Sequence, residues 1–122
     1  MARILVVDDD QNISEIVQYI AKTSGYDILV ATNGRDGLAQ AKNGQPDLII
    51  LDIMMPEMDG FTLHNHLLAD ETTKRIPIII LTAKGQMRDS FIGSSNVKFY
   101  MDKPFDPPSL RENIRLALQG KP

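Results

Sequence analysis

Apolar residues gather in five short runs separated by longer, mixed segments. The first, third and fourth runs are almost continuous in Ile, Leu and Val, which is typical of strands buried on both faces of a parallel sheet. The fifth run is less pure, and each gap is long enough to hold a helix. The pattern predicts strands at Ile4–Val7, Ile28–Ala31, Leu48–Leu51, Ile78–Leu81 and Val97–Met101.

The segments between the runs show helical periodicity of varying strength. A helix with one apolar face is predicted before Gly25, which suits its end, because apolar residues recur at helical spacing at Ile13, Ile16, Val17, Ile20 and Ala21. The segment around Gln86–Ser94 is poorly patterned, so we expect the least well-defined helix there. Further helices are predicted at about Arg35–Lys42, after Gly60 and before Pro77, and from Asp106 or Pro107 with a stripe of Leu110, Ile114 and Leu118.

Strands that alternate with helices predict an α/β fold, a parallel sheet with right-handed crossovers and helices over its faces. A length of 122 residues with 43% apolar content suits one globular domain, which we expect to span 1–122. The net charge of -3 is too mild for a nucleic-acid surface, and the absence of cysteine excludes disulfides. With no apolar run of membrane-spanning length and no signal peptide, we expect a soluble, cytoplasmic protein.

Polar residues follow four of the predicted strands. Asp8-Asp9-Asp10 comes directly after the first strand, Asp52 after the third, Thr82 after the fourth and Lys103 shortly after the fifth. In open α/β sheets, ligands bind beyond the carboxyl ends of the strands. We therefore expect acids, a hydroxyl and an ammonium to converge at one edge of the sheet.

Each of these residues has an ordinary explanation when taken alone, such as a helix cap, a turn or a solvated charge. Together they suit metal-assisted phosphoryl transfer to a carboxylate. Mg²⁺ prefers oxygen ligands, and a carboxylate is a competent nucleophile. Lys103 and the Thr82 hydroxyl would stabilise charge on the phosphoryl oxygens. A glycine-rich phosphate loop is absent from the sequence, so a nucleotide is not the obvious donor.

Four stretches resemble one known family: "VVDDD", "LDIMMPEMDG", "LTA" and "DKPF", in this order and spacing. The sequence is similar to the CheY-like receiver domains of bacterial two-component response regulators over essentially its whole length. The resemblance implies a flavodoxin-like (βα)5 fold. This fold is a doubly wound, five-stranded parallel sheet of order 2-1-3-4-5 with helices on both faces.

The resemblance also implies a phosphorylation site that depends on a metal ion. Asp52 matches the phosphoacceptor, and Asp8 and Asp9 match the acids that hold Mg²⁺. Asp52 and the backbone carbonyl of Met54 would complete the protein ligands, and Mn²⁺ could substitute for Mg²⁺. The phosphoryl donor would be a phosphohistidine on a histidine kinase or a histidine phosphotransfer protein.

Three further residues match the signalling switch of the family. Lys103 would bind the phosphoryl group, Thr82 would supply the switch hydroxyl and Tyr100 the switch aromatic. The readout surface would combine the fourth helix, fifth strand and fifth helix. It would act on a downstream protein or an output domain, with a homodimer possible on phosphorylation and no direct contact with nucleic acid or membrane. Such a domain catalyses only its own phosphoryl transfer and dephosphorylation.

Two alternatives remain open from the residues themselves. A phosphohydrolase of the haloacid-dehalogenase type would use Asp8 and Asp10 as an Asp-x-Asp motif, although Asn12 is unusual there and the chain is too short for a cap. A receiver that signals without phosphate is the second alternative. Asp10 has no assigned role beyond a supporting contact or a helix cap. His64 and His66 lie two positions apart and are expected to be surface or hydrogen-bonded core residues.

Overall fold

A computed structural model describes residues 2–52, 60–83, 96–103 and 105–119, with residues 60, 61, 82 and 83 described by their backbone. The predicted helix around 86–94 lies outside these ranges, so helices are numbered as described. Within these ranges, no helix has the length and apolar character to cross a membrane. The elements are β1 (Arg3–Val7), α1 (Gln11–Thr23), β2 (Asp27–Ala31), α2 (Gly34–Gly44), β3 (Leu48–Asp52), α3 (Gly60–Ala69), β4 (Ile78–Ala83), β5 (Val97–Lys103) and α4 (Pro107–Gln119).

The five strands are all parallel and lie in the order β2-β1-β3-β4-β5, which confirms the predicted topology. Val7 at the end of β1 pairs with Ala31 on β2 and with Leu51 on β3, so the three strands end almost level. The chain runs outward from β1 in one direction and from β3 in the other. The crevice above these two strands is therefore the position where such sheets bind ligands.

The sheet separates two apolar layers because successive side chains of a strand point to opposite faces. Helices α2 and α3 cover one face, while α1 and α4 cover the other. Burial on both faces explains why the strands lack polar alternation. The first layer contains Leu5, Val7, Ile49, Leu51, Ile78, Ile80, Ala41, Leu63 and Leu67, and the second contains Ile4, Val6, Leu48, Ile50, Ile79, Leu81, Val17, Ile20, Ala21, Leu110, Ile114 and Ala117.

Helix α1 ends where the sequence predicts, but its apolar face is narrower than the predicted one. Gly25 adopts a φ of 91°, which glycine tolerates better than other residues. The buried face is centred near Val17 and Ala21, whereas Ile16 is 46% exposed. At about 100° of rotation per residue, Ile16 falls outside that face. The spacing of Ile16 from its apolar neighbours correctly predicts a helix, but the prediction that Ile16 lies on the buried face is wrong.

A buried polar junction joins α3, the loop before β4 and the residue before β5. Nε2 of His64 lies 3.1 Å from Oδ1 of Asn96, and Nδ2 of Asn96 approaches the Ile76 carbonyl at 3.5 Å. The backbone N–H of Ile78 donates to the Asn96 carbonyl at 2.7 Å. The expectation of a hydrogen-bonded core histidine is therefore confirmed for His64, and His66 is exposed as a surface residue should be.

We predict that His64→Ala lowers the free energy of unfolding by roughly 2 kcal/mol, because it leaves a cavity and removes the ring partner of Asn96. His66→Ala makes the same chemical change at an exposed position of the same helix, so any gain in helix propensity cancels in the comparison. It should change stability by less than about 0.5 kcal/mol. Urea denaturation followed by circular dichroism measures both, and equal losses would contradict the junction's structural role.

Candidate functional site

The carboxyl ends of three strands bring distant polar residues together. Asp8 follows β1 directly, Asp52 is the last residue of β3 and Lys103 is the last residue of β5. The strands pair in parallel, and Asp52 lies opposite Leu81 while Ala83 lies opposite Lys103. This shared edge confirms the expected convergence of these residues.

A single ammonium group lies between two buried carboxylates. Nζ of Lys103 is 3.1 Å from Oδ1 of Asp52 and 3.5 Å from Oδ2 of Asp8. The two carboxylate side chains are only 3% and 1% exposed, whereas that of Lys103 is 22% exposed. Buried charges at this density are stable only when they are paired or bind a cation.

Three carboxylates form a cluster at this edge. Asp8, Asp9 and Asp52 each offer an oxygen, and these oxygens all lie within 4.8 Å of one another. Asp9 is exposed, so one side of the cluster faces solvent. Among the residues that the structure describes at this site, three acids and one lysine leave negative charge in excess, and the acids offer only oxygen donors. The residues therefore fit a hard divalent cation such as Mg²⁺.

Burial and charge shift the protonation equilibria of the site in identifiable ways. Burial raises the pKa of Asp8 above its usual value, and this effect outweighs the lowering by the Asp10 N–H and the Lys103 ammonium. Burial alone would lower the pKa of Lys103, but attraction to Asp52 and Asp8 outweighs it, and the pKa is raised. Lys103 therefore remains a cation at neutral pH.

Asp10 caps α1. Its Oδ1 accepts hydrogen bonds from the backbone N–H groups of Asn12 at 3.0 Å and Ile13 at 3.2 Å. Its own N–H donates to Oδ1 of Asp8 at 2.9 Å. The structure thus confirms the helix-cap role that the sequence left as one of two possibilities.

The remaining predicted site residues are described only in part. Thr82 lies in β4 opposite Asp102 on β5. Tyr100 pairs with Ile80 and is half-buried against the apolar layer under α2 and α3. Met54, the predicted source of a ligating carbonyl, lies outside the described residues.

Several residues that line the site have no counterpart in the sequence-based predictions. A cavity of about 330 Å³ extends from Asp8 and Asp9 along α1 toward β2. The polar face of α1 forms much of its wall, and the spacing of that face, i, i+3, i+4 and i+7, is a signal that could have identified it. The additional lining residues are Gln11, Ser14, Glu15, Gln18, Val30 and Thr32.

Comparison with known proteins identifies the family. The family model for the response regulator receiver domain matches residues 4–115. The DNA-binding dual master transcriptional regulator RpaA of Synechocystis is 43% identical over 98% of this chain and 50% of its own length. Protein PilH of Pseudomonas aeruginosa is 37% identical over 98% of this chain and 100% of its own. Chemotaxis protein CheY4 of Vibrio cholerae has a TM-score of 0.86 at 29% identity, covering 96% of this chain and 98% of that one.

These matches define a class of signalling domain rather than a classical enzyme. The chain belongs to the receiver domain family of two-component response regulators, whose members interact with histidine kinases, and it has the CheY-like flavodoxin fold. It spans about half the length of the first curated relatives it matches, which are transcriptional regulators.

We predict that Lys103→Met makes stability strongly dependent on pH in buffer without divalent cations. At pH 7 the free energy of unfolding should fall by roughly 2 kcal/mol, less than for a fully buried pair because Lys103 is partly exposed. Loss of the ammonium raises the already elevated pKa of Asp8 further. The folded variant then binds protons more tightly than the unfolded chain, so stability recovers as the pH falls through the raised pKa.

Lys98→Met is the matched control, because Lys98 is an exposed lysine on the same strand. Chemical denaturation between pH 5 and about 8 measures both variants. Parallel pH profiles for the two variants would contradict the electrostatic role of Lys103.

Proposed function

We propose that Asp52 is the phosphoacceptor of this receiver domain and that a phosphohistidine on a histidine kinase or phosphotransfer protein is the donor. The observation that carries this proposal is the position of Asp52. Its buried carboxylate lies 3.1 Å from Lys103 Nζ and within 4.8 Å of two further acids at the switch point of the sheet. The family membership supports the same assignment.

In the proposed reaction a carboxylate oxygen of Asp52 attacks phosphorus, and the bond from phosphorus to the imidazole nitrogen breaks. The electron pair of that bond remains on the imidazole, which is released to the partner protein. Lys103 lies where it can hold a phosphoryl oxygen, because its ammonium already contacts Asp52. Asp8, Asp9, Asp52 and the Met54 carbonyl would hold Mg²⁺, which supplies charge neutralisation for the phosphoryl oxygens; Mn²⁺ takes similar oxygen ligands and could replace it.

Phosphorylation of Asp52 would add about 1.5 to 2 negative charges and three acceptor oxygens. Conformations that bring the Thr82 hydroxyl and Lys103 toward these oxygens would gain stability, which shifts an existing equilibrium. Tyr100 lies on the same strand as Lys103 and is half-buried on the face of the sheet that α2 and α3 cover, so it can report that shift along β5 on that face. These switch roles are supported by strand position and by the family.

The output of the switch would be a downstream protein or a further domain. Both forms have relatives here: RpaA is twice as long as the matched region, whereas PilH is matched over its full length. Dimerisation on phosphorylation and a cytoplasmic location remain predictions. We expect no direct contact of this domain with nucleic acid or membrane.

The hydrolase alternative is less compatible with the contacts of the acidic run. In that alternative Asp8 would be the nucleophile and Asp10 the general acid. However, the Asp10 side chain accepts hydrogen bonds from two backbone N–H groups of α1, and Oδ1 of Asp8 accepts the Asp10 N–H. The Asp10 carboxylate is therefore engaged by the helix and is held as an acceptor.

We predict that a small-molecule phosphodonor with MgCl2 adds one phosphoryl group to the wild-type protein, as measured by intact mass. Asp52→Asn should abolish the gain, because the amide is not a competent nucleophile. Asp27→Asn is the control, since Asp27 is an exposed acid at the start of β2. It should be phosphorylated like the wild type.

The other possible results distinguish the rival functions. Borohydride trapping and peptide mass analysis of a labelled Asp8 would support the hydrolase. A folded wild-type protein without any mass gain would favour a receiver that signals without phosphate.

We also predict that MgCl2 raises the melting temperature of the unphosphorylated protein. Binding to the folded state alone stabilises it by about 2.7 kcal/mol at a hundredfold excess over Kd. NaCl at the same ionic strength should produce a smaller shift, because it screens charge without bridging the carboxylates. Asp9→Asn should reduce the shift with MgCl2, and an equal shift in this variant would exclude Asp9 as a ligand.

A further inference from the structure

The two oxygens of the Asp8 carboxylate have different partners. Oδ1 accepts the backbone N–H of Asp10 at 2.9 Å, and Oδ2 lies 3.5 Å from Nζ of Lys103. These two contacts, one to each oxygen, fix the orientation of the Asp8 carboxylate. Because Oδ1 is held by the backbone, Oδ2 is directed toward the side of the site that contains Lys103. The orientation of this acid therefore depends on where the Asp10 N–H points.

The backbone at Asp10 is held by the start of α1. The backbone of Asp10 is extended, with φ -83° and ψ 105°. Oδ1 of Asp10 accepts hydrogen bonds from the N–H groups of Asn12 and Ile13. Its carbonyl also accepts the N–H of Ser14 at 2.9 Å. These three bonds tie the conformation of Asp10 to the first turn of the helix, and its N–H is directed at Asp8 as a consequence.

We propose that Asp10 is a positioning residue for the cation site, in which its side chain caps α1 and thereby directs its own N–H onto Asp8. This inference rests on the proposed function, in which Asp8 helps to bind Mg²⁺. Asp10 is exposed and is not among the acids whose oxygens converge. It acts on the cation through the geometry of Asp8 and not as a ligand.

The charge distribution supports this role. The Asp10 N–H, 2.9 Å from Oδ1 of Asp8, places a positive partial charge against one oxygen of this carboxylate and leaves the other oxygen directed toward the site. Groups that orient a metal ligand typically change metal affinity by about 10- to 100-fold when they are removed. The capping oxygen of Asp10 acts one step further away, so we expect an effect of about tenfold.

The test measures the Kd of MgCl2 by calorimetry for three variants at position 10 and one matched variant elsewhere. Asp10→Asn retains a capping oxygen without the charge, whereas Asp10→Ala removes both. Asp10→Gly also removes the oxygen but costs little helix stability, so it serves if the alanine variant fails to fold. Asn33→Ala is the control, because Asn33 makes the same kind of cap on a different helix: it caps α2 through the N–H of Asp36 at 2.8 Å.

We expect the Ala and Gly variants to bind Mg²⁺ about tenfold more weakly, while Asp10→Asn and Asn33→Ala stay within about twofold of the wild type. Equal weakening in the Asn and Ala variants would overturn the inference, because charge and not the cap would then be responsible. Unchanged affinity in the Ala and Gly variants would overturn the inference as well, but the proposed cation site would still stand. A wild-type protein that binds no Mg²⁺ would overturn both the inference and the metal-dependent function.

Discussion

The pairing of one ammonium with two buried carboxylates is the constraint on which the site depends. Taking a carboxylate out of water costs several kcal/mol, and attraction to Lys103 offsets this only at short distance. Asp8, Asp52 and Lys103 come from three different strands, and β4 separates β3 from β5 in the sheet. The parallel register must therefore bring all three to the same edge, and a slip of one residue would move each side chain to the other face.

Burial of the apolar strands stabilises the fold and offsets the free-energy cost of these buried charges. Each fully buried Leu, Ile or Val contributes about 1.5 to 3 kcal/mol relative to an exposed one, and the central strands consist almost entirely of such residues. The polar residues begin where these runs end. The site therefore occupies the sheet edge, where one side can remain open to solvent, while both faces of the sheet stay dry.

The strands and the position of the site could be predicted from the sequence, because both follow from the order of apolar and polar residues along each strand. Runs such as Ile78–Leu81 reveal buried strands, and the polar residues after them, such as Asp52, reveal the site. The junction of His64 with Asn96 could not be predicted, because it depends on packing between segments 32 residues apart. The exposure of Ile16 was not predicted for a related reason. Helical spacing shows which residues share one face of a helix, but it does not show how much of that face the rest of the protein covers.

The three consecutive acids show how local geometry separates residues that look equivalent in sequence. Asp8 is buried against Lys103, Asp9 is exposed, and Asp10 accepts from the first turn of α1, where the helix dipole favours negative charge. Asp8 and Asp10 thus each have a positive partner within the protein. Asp9 lies on the open side of the cluster. A cation arriving from solvent therefore encounters the exposed acid before the buried ones, and its charge would offset the excess of acids over Lys103 among the residues that the structure describes.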